Sequence, residues 1–423
     1  MTKRARTILF SFLVILFIFI APSITLYSQG YRFDWERKKI VQTGGFYFKV
    51  LPKNAEIYLD GKLIKKTDFF FGSALIENLL PKKYKIEIKK EECHSWEKNL
   101  EIKEKLVTEA KNIVLIPKNP NFTILTKEVK DFFFSPDKKK IILKEQEKDF
   151  WALKLYDLNK NLKSHLFQET DFPKKKAELL SLEFLKNSKE VFLEVVSEEQ
   201  LKYFTLEIDK MPPVLTKSEK PLISLKDIIT SQTIGEDIYY LDNSGHLFKT
   251  DASLKTKTKI SEIPFEVKQE TEYKLKVFRD FIFLLEEGVL YQFDQNSKSF
   301  KKIFEPVEEL VISSDFKKLA FSNNYEIWIL FLDSESSTGR QKGDIIFLTR
   351  FSEKIGNLSW LNNHYLIFSI GEKGIKIAEI DDRDKINIVD LTEFKEPKIF
   401  WNQNDKKLYI LSEENLFVSE KLF

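Results

Sequence analysis

Short apolar strands separated by polar turns recur along most of the chain, from about Asn121 onward. Residues 133–137 lead into a lysine-rich turn, the apolar segment 141–143 and the strand pattern 151–157. The same order returns from residues 311–315 onward. Strand clusters that repeat at a period of about 40–50 residues are typical of β-propeller blades. The pattern therefore predicts an all-β repeat architecture, and it favours a binding function over an enzymatic one.

About seven strand clusters follow one another, which predicts a roughly seven-bladed propeller over residues 121–423. The seventh cluster, residues 399–418, holds three strand patterns instead of four. An unpaired strand edge is an aggregation hazard, so a fourth strand is expected from elsewhere. Residues 121–126, just before the first cluster, can supply that strand and close the ring. The two prolines of residues 117–120 predict a linker in front of the propeller.

The amino terminus carries a membrane signal. Three basic residues precede an apolar stretch that continues to Tyr27, and about 20 such residues suffice to cross a hydrocarbon core of roughly 30 Å. Basic residues before a span keep that end in the cytoplasm, so the bulk of the chain is expected outside. A cleaved signal peptide is the alternative, but Pro22 directly after Ala21 makes a poor cleavage site. The sequence favours an uncleaved anchor over residues 1–27, followed by a tether over 28–43.

Residues 44–116 carry a compact strand pattern of their own. Residues 55–59 alternate and run into Asp60 and Gly61, a strong hairpin signal because both turn residues favour positive φ. In residues 84–89 the period of two is clean, with apolar residues on one side and lysine or glutamate on the other. These strands predict a separate β module between the anchor and the propeller.

At these residues the segment resembles the PEGA domain family. The family's Pro-Glu-Gly-Ala turn stands here as Pro-Lys-Asn-Ala at 52–55, and its Leu-x-Pro-Gly-x-Tyr approach to a later strand stands at 79–84. Cys93 and His94 replace the family's Gly-Tyr before a tryptophan-bearing strand. The resemblance covers about residues 44–116. It implies a β-sandwich of cell-envelope proteins, without catalytic activity of its own, that serves as a spacer or adhesion module.

The later repeats are similar in general form to WD-repeat-like and TolB-like propellers. Ser135, Pro136 and Asp137, followed by lysines, resemble the Ser-Pro-Asp-Gly turn of TolB-like propellers, with Lys138 where glycine is usual. The Trp-Asp dipeptide of WD repeats is absent from the sequence. This resemblance implies a surface that binds peptides or proteins.

Composition and charge narrow the classes of partner. The 68 Lys and Arg nearly cancel the 65 Asp and Glu, and a net charge of +3 on 423 residues gives no global field for nucleic acid. Lysine runs at 138–140 and 174–176 fall in turns and indicate solubilising tips. Asn121 and Asn357 begin glycosylation patterns, which are expected by chance at this length. The single cysteine, Cys93, excludes an intramolecular disulfide and a cysteine metal cage.

Few residues suggest chemistry. The chain has four histidines, one in each of four separate units: His94, His165, His246 and His364. None has a second ligand at metal-binding spacing, so surface or turn positions are expected. Ser244 lies in a hairpin turn that lacks the flanks of a nucleophile elbow. Residues 381–384 could suggest calcium, but Arg383 within them favours a solvated turn between two strands.

The sequence also lacks the glycine motifs that cradle phosphates, so it predicts no catalytic, cofactor or metal site. The resulting hypothesis is a non-enzymatic, single-pass protein of the cell envelope, in which a stalk presents a propeller to an envelope protein or polysaccharide. A propeller-type hydrolase or its regulatory subunit is one alternative, and a subunit of an export or surface-fibre complex is another. Four tryptophans of the repeats are expected in the core, without a ligand role: Trp151, Trp328, Trp360 and Trp401.

Overall fold

The computed structural model describes residues 3–172, 177–185, 188–218, 227–234, 237–251, 256–336 and 338–423. The lysine run 174–176 lies outside these residues. The described chain opens with one α-helix, α1 (Lys3–Ser28), and later contains a single 3-10 turn, Glu169–Asp171. The stretch Arg4–Ser28 is long and apolar enough to cross a membrane, and its most apolar window is not buried against the rest of the protein. One apolar helix that could serve as a span or a signal sequence is therefore present.

Two strands, β1 (Tyr31–Asp34) and β2 (Lys39–Gln42), form an antiparallel hairpin directly after α1. The predicted tether, residues 28–43, thus contains regular structure. Seven further strands follow: β3 (Gly44–Leu51), β4 (Glu56–Leu59), β5 (Lys62–Lys66), β6 (Ser73–Leu79), β7 (Lys83–Lys89), β8 (Trp96–Glu101) and β9 (Val107–Val114). They form two sheets, with strand orders β6-β3-β9 and β5-β4-β7-β8.

The two sheets enclose one apolar core, as the alternating pattern predicts for a sandwich. Phe46 and Phe48 of β3 face Ile57 of β4 and Ile86 of β7, and all four side chains are fully buried. Alternate residues of a strand point to the same face, which explains why a period of two in the sequence produces this core. Asp60 and Gly61 adopt positive φ in the turn between β4 and β5, which confirms the predicted hairpin.

Seven four-stranded antiparallel sheets make up the remaining described chain. The first sheet contains β11 (Val129–Phe134), β12 (Lys140–Gln146), β13 (Trp151–Asp157) and β14 (Leu162–Gln168). The second contains β15 (Ala177–Phe184), β16 (Glu190–Ser197), β17 (Gln200–Glu207) and β18 (Val214–Ser218). The third contains β19 (Ile228–Ile234), β20 (Asp237–Asp242), β21 (Leu247–Asp251) and β22 (Thr258–Lys259).

The remaining four sheets repeat the same meander. The fourth contains β23 (Tyr273–Phe278), β24 (Phe281–Glu286), β25 (Val289–Asp294) and β26 (Ser299–Phe304). The fifth contains β27 (Glu309–Ile312), β28 (Lys318–Ser322), β29 (Glu326–Phe331) and β30 (Ile345–Arg350). The sixth contains β31 (Ile355–Asn362), β32 (Tyr365–Ile370), β33 (Gly374–Glu379) and β34 (Ile388–Glu393). The seventh contains β35 (Lys398–Asn402), β36 (Lys407–Ser412), β37 (Asn415–Ser419) and the early strand β10 (Phe122–Lys127).

The seventh sheet takes its fourth strand from in front of the first sheet. Strand β10 pairs antiparallel with β37, and Phe122 lies opposite Ser419, which confirms the predicted pairing. The first and last sheets also share an apolar cluster, in which the rings of Phe134 and Phe400 stack with centroids 3.8 Å apart. The two ends of the repeat array are therefore held together by both hydrogen bonds and packing, as in a β-propeller.

Neighbouring sheets pack through their apolar faces. The first strands of consecutive sheets lie side by side, as β27 does with β31 and β31 with β35. Trp151, Trp360 and Trp401 are buried in these shared cores, which confirms their expected core positions. Trp328 on β29 is only half-buried, with its ring against those of Phe304 and Phe347.

Candidate binding surface and interdomain junction

Most side chains with catalytic potential lie apart, but Ser244 and His246 share one turn. His165 is exposed on β14, whereas His246 follows the turn between β20 and β21, with its Nδ1 3.3 Å from Ser261 Oγ. Ser244 is exposed in that turn, and its hydroxyl donates to Asp242 Oδ1 at 2.6 Å. Across the described ranges, no group of three or more His, Cys, Asp or Glu side chains could hold a metal ion. Ser244 and His246 thus meet at Asp242, whose Oδ1 also accepts the His246 backbone N–H at 2.9 Å, while the other three histidines lie in other units.

The expectation of a solvated turn at residues 381–384 is wrong. The turn does connect two strands of the sixth sheet, β33 and β34, but it lies against the edge of the sandwich. Asp384 Oδ2 accepts the backbone N–H of Asn99 at 2.7 Å, and Arg383 Nη1 donates to Glu109 O at 2.7 Å. Burial acts to raise the pKa of Asp381, but hydrogen bonds from Arg383 outweigh it and the pKa is lowered. The sequence of this turn does not indicate that it docks on the edge of the sandwich.

A buried ion pair forms the centre of this junction. Lys98 of β8 lies with its Nζ 2.7 Å from Glu379 Oε1 of β33, and the two side chains are 0% and 4% exposed. The same ammonium donates to the backbone oxygens of Asp381 at 2.6 Å and Lys385 at 2.8 Å. All three ammonium donors are therefore satisfied by the propeller, which is what a buried lysine requires.

The Glu379 carboxylate is as fully bonded as its partner. Trp96 Nε1 donates to Oε2 at 2.7 Å, while the backbone N–H and side-chain amide of Asn387 donate to Oε1 at 3.0 and 2.6 Å. Burial raises the pKa of Glu379, and Lys98 opposes that rise. Packing adds to the junction, because Val114 and Ile116 of the sandwich side join the apolar cluster of the sixth and seventh sheets. The sandwich and propeller are therefore joined by a bonded, packed interface.

A cavity of about 300 Å³ lies beside the ion pair, between β9 and the sixth sheet. His364, between β31 and β32, lines it, with Nδ1 3.8 Å from Glu335 Oε1. Burial, together with the nearby Lys318 ammonium, lowers the pKa of His364. The neighbouring Tyr365 hydroxyl accepts the backbone N–H of Val114 at 3.1 Å. The cavity thus belongs to the junction, and its histidine is expected to be neutral near pH 7.

A second cavity, of about 450 Å³, lies where the first strands of several sheets end. We call it the channel mouth. Five aromatic residues and two lysines are among those that line it: Phe278, Phe316, Trp360, Phe400, Trp401, Lys138 and Lys276. None of the described residues that line it is acidic. The mouth therefore combines apolar surface with positive charge.

The channel mouth and the sandwich share one end of the propeller. Ser314 lines the mouth in the turn after β27, and its hydroxyl donates to Asn363 Oδ1 at 2.7 Å. Asn363 lies in the corresponding turn of the sixth sheet, next to His364 at the junction cavity. Because turns after the first strand and after the third strand of a meander lie at the same end, the docked turn 381–384 is also there.

Lys138 differs from the solubilising tip that its lysine run predicts. It has a φ of 56° in the turn between β11 and β12, in place of the glycine usual in the resembling motif. Its side chain lines the channel mouth, and burial lowers the pKa of its ammonium group. Trp360 and Trp401 also line the mouth although they are core residues. The signal for this site was the recurrence of aromatic residues near the ends of first strands.

No family model matches the chain, and no curated protein matches it. Among solved structures, the chain is similar to "YCF48 from Cyanidioschyzon merolae", with a TM-score of 0.46, 7% identity, and coverage of 71% of this chain and 98% of that one. The chain is also similar to a structure of "YCF48 bound to D1 peptide", with a TM-score of 0.43 and 13% identity, and the match covers 72% of this chain and 97% of that one. For a chain of the "Mitotic Checkpoint Complex" the TM-score is 0.46 and the identity 10%, and the match covers 72% of this chain and 92% of that one. Similarities this distant bear on neither the ligand nor the partner of this chain.

Proposed function

We propose that this chain is a membrane-anchored, non-enzymatic binding protein whose propeller holds a segment of a partner protein at the channel mouth. The observation that carries the proposal is the lining of that mouth, which combines five aromatic residues with Lys138 and Lys276 and has no acidic residue among its described members. Aromatic side chains dominate binding energy at protein interfaces. Complementary charge selects the partner and speeds association. The chemistry fits an acidic segment that carries apolar side chains.

The rest of the molecule supplies position. In this proposal α1 spans the cell membrane with the bulk of the chain outside the cell, and residues 44–116 form a PEGA-like spacer. The seven four-stranded sheets form a seven-bladed propeller closed by β10. The buried pair of Lys98 and Glu379 favours a fixed angle between spacer and propeller, because either charge would be left uncompensated if the domains separated. A partner at the mouth would then be held on the sandwich side of the propeller.

Two features support a function without catalysis. The described histidines lie in separate units, and Ser244 is bonded within a tight turn. The buried Lys98 and Glu379 are fully bonded to each other, to backbone groups and to the side chains of Trp96 and Asn387. A catalytic group instead requires access to substrate and a poised proton.

The test is site-specific photocrosslinking on intact cells that express the full chain. A photoreactive residue replaces Phe316 or Gln403, which both line the channel mouth. The control position is Leu162 on β14, which is 57% exposed but lies outside the mouth. The proposal expects one shared protein adduct from the two mouth positions and none from the control. Equal adducts at all three positions, or only polysaccharide adducts, would contradict it.

A further inference from the structure

The hairpin between α1 and the sandwich has two different faces. Side chains alternate across a strand pair, and Asp34 and Val41, 5% and 2% exposed, face the protein. Phe33 and Ile40 form a cross-strand pair on the other face, where they are 44% and 61% exposed, and Trp35 beside them is 82% exposed. One face of the hairpin is therefore apolar and left uncovered by the described chain.

The apolar face is held in a defined shape. The ring of Trp35 packs edge to face on Phe33, with centroids 4.8 Å apart. The buried Asp34 carboxylate closes the turn, because its Oδ1 accepts the backbone N–H groups of Glu36 at 3.0 Å and Arg37 at 3.1 Å. The exposed aromatic pair is thus presented by a bonded turn.

The hairpin is fastened to the end of α1. The Arg32 guanidinium lies 3.4 Å from the ring centroid of Tyr27, and its Nη1 donates to Tyr27 O at 2.7 Å. Gln42 Nε2 donates to Gln29 O at 3.1 Å. Arg32 Nη2 also reaches Asn78 Oδ1 of the sandwich at 3.1 Å. With α1 across the bilayer, these contacts hold the hairpin at the level where the helix leaves the membrane.

Charge agrees with that position. Residues 29–43 contain four basic residues against two acidic ones. Lys38 and Lys39 are both exposed at the turn end of the hairpin, although Lys39, opposite Asp34, starts from the other face. Aromatic side chains, tryptophan above all, favour the membrane–water interface, and lysines near the surface are attracted to anionic headgroups. We infer that the face of Phe33, Trp35 and Ile40 inserts into the headgroup region of the bilayer, with Lys38 and Lys39 on anionic lipid. This inference rests on the membrane span proposed above.

The experiment uses the full chain in nanodiscs of phosphatidylglycerol and phosphatidylcholine that carry a nitroxide on the headgroup or on the acyl chain. Single-cysteine variants in a Cys93→Ser background carry a fluorophore: Trp35→Cys in the hairpin, Phe17→Cys in α1, and Phe69→Cys as the control. Phe69 is 75% exposed in the turn beside the far end of β3, roughly 25 Å from Gly44 at the rise of an extended strand.

The inference predicts that headgroup nitroxide quenches the label at position 35, that acyl-chain nitroxide quenches the label at 17, and that neither quenches the label at 69. Quenching at 17 without quenching at 35 would overturn the inference while the membrane span stands. No quenching at 17 would overturn the span and the inference together. Lys38→Glu combined with Lys39→Glu should reduce the quenching of the label at position 35 and leave the quenching of the label at position 17 unchanged. Unchanged quenching at position 35 would contradict the role of anionic lipid.

Discussion

Lys98 and Glu379 form an ion pair, with Nζ and Oε1 2.7 Å apart, between a strand of the sandwich and a strand of the propeller. Both side chains are almost completely buried. A buried pair of this kind contributes little net stability, because the loss of hydration offsets the attraction. It does penalise every arrangement in which one charge is buried without the other. The pair therefore acts mainly on the relative position of the two domains.

Replacing Lys98 with methionine is expected to destabilise the protein by about 3–5 kcal/mol, because it leaves the Glu379 carboxylate buried without its partner. The measurement is the free energy of unfolding by chemical denaturation, followed with limited proteolysis of the linker at residues 117–120. We expect faster linker cleavage in the variant.

The matched control is Lys85→Met, on the neighbouring strand β7 of the same sheet. Lys85 pairs with Glu97 at 3.9 Å, but the two side chains are 60% and 27% exposed, so the expected loss is below about 1 kcal/mol. Equal losses for the two variants would show that the buried pair has no special role at the junction.

The pH dependence of stability should carry the signature of Glu379. Burial raises its pKa above the ordinary value of 4.5, so the native carboxyl holds its proton where the unfolded one has lost it. The native state then binds more protons, and this contribution to stability is lost as the pH rises through the native pKa. Glu379→Gln removes the titration. The stability of the wild type relative to Glu379→Gln should therefore fall as the pH rises above about 4.5 and through the native pKa of Glu379, and a rising or constant difference would contradict this.

Two buried tryptophans should respond differently to replacement by phenylalanine. Trp96 Nε1 donates to the Glu379 carboxylate at 2.7 Å, and a hydrogen bond to a charged group is worth about 1.5–3 kcal/mol. Trp401 Nε1 is buried without a partner in the described part of the chain. Both replacements lose a similar ring area, so the indole hydrogen bond decides the difference between them. Trp96→Phe should therefore lower the free energy of unfolding more than Trp401→Phe does. Similar unfolding free energies for the two variants would contradict the importance of the indole bond.

Ring closure predicts the effect of removing β10. Replacing residues 122–127 with a flexible linker should lower the melting temperature of the whole propeller, because the seventh sheet loses its outermost strand and the two ends lose their pairing. The control is the same replacement of β18 (Val214–Ser218), an outermost strand whose neighbours in its sheet stay connected along the chain. Calorimetry should show the larger shift for β10. Equal shifts would indicate that its pairing with β37 adds nothing to closure.

Much of the fold follows from local sequence pattern. A period of two in β7 and the Asp60–Gly61 turn specify strands and a hairpin without any distant contact. The pairing of β10 with β37 could also be expected, because a sheet with three strands leaves an edge to be satisfied.

The junction could not be predicted in the same way. Lys98 occupies an inward position between Trp96 and Leu100 on β8, and a lysine there is a sign of a buried partner. The sequence around Lys98 does not indicate which residue that partner is, because Glu379 lies far along the chain. The strand that carries Glu379 has the same sequence pattern as other strands of the repeat. The position of the turn 381–384 could not be predicted either. Charged residues in a turn are expected in solvent, and only the structure shows the sandwich edge beside them.

The positive, aromatic channel mouth, in the function proposed above, holds an acidic segment of a partner protein. The most direct measurement is the yield of the adduct formed by a photoreactive residue at position 316 on intact cells, with and without charge reversal of the mouth. Lys138→Glu combined with Lys276→Glu should abolish the adduct, whereas Lys274→Glu, on the same strand as Lys276 but outside the lining, should preserve it. An adduct yield unchanged by reversal of both mouth lysines would contradict the account.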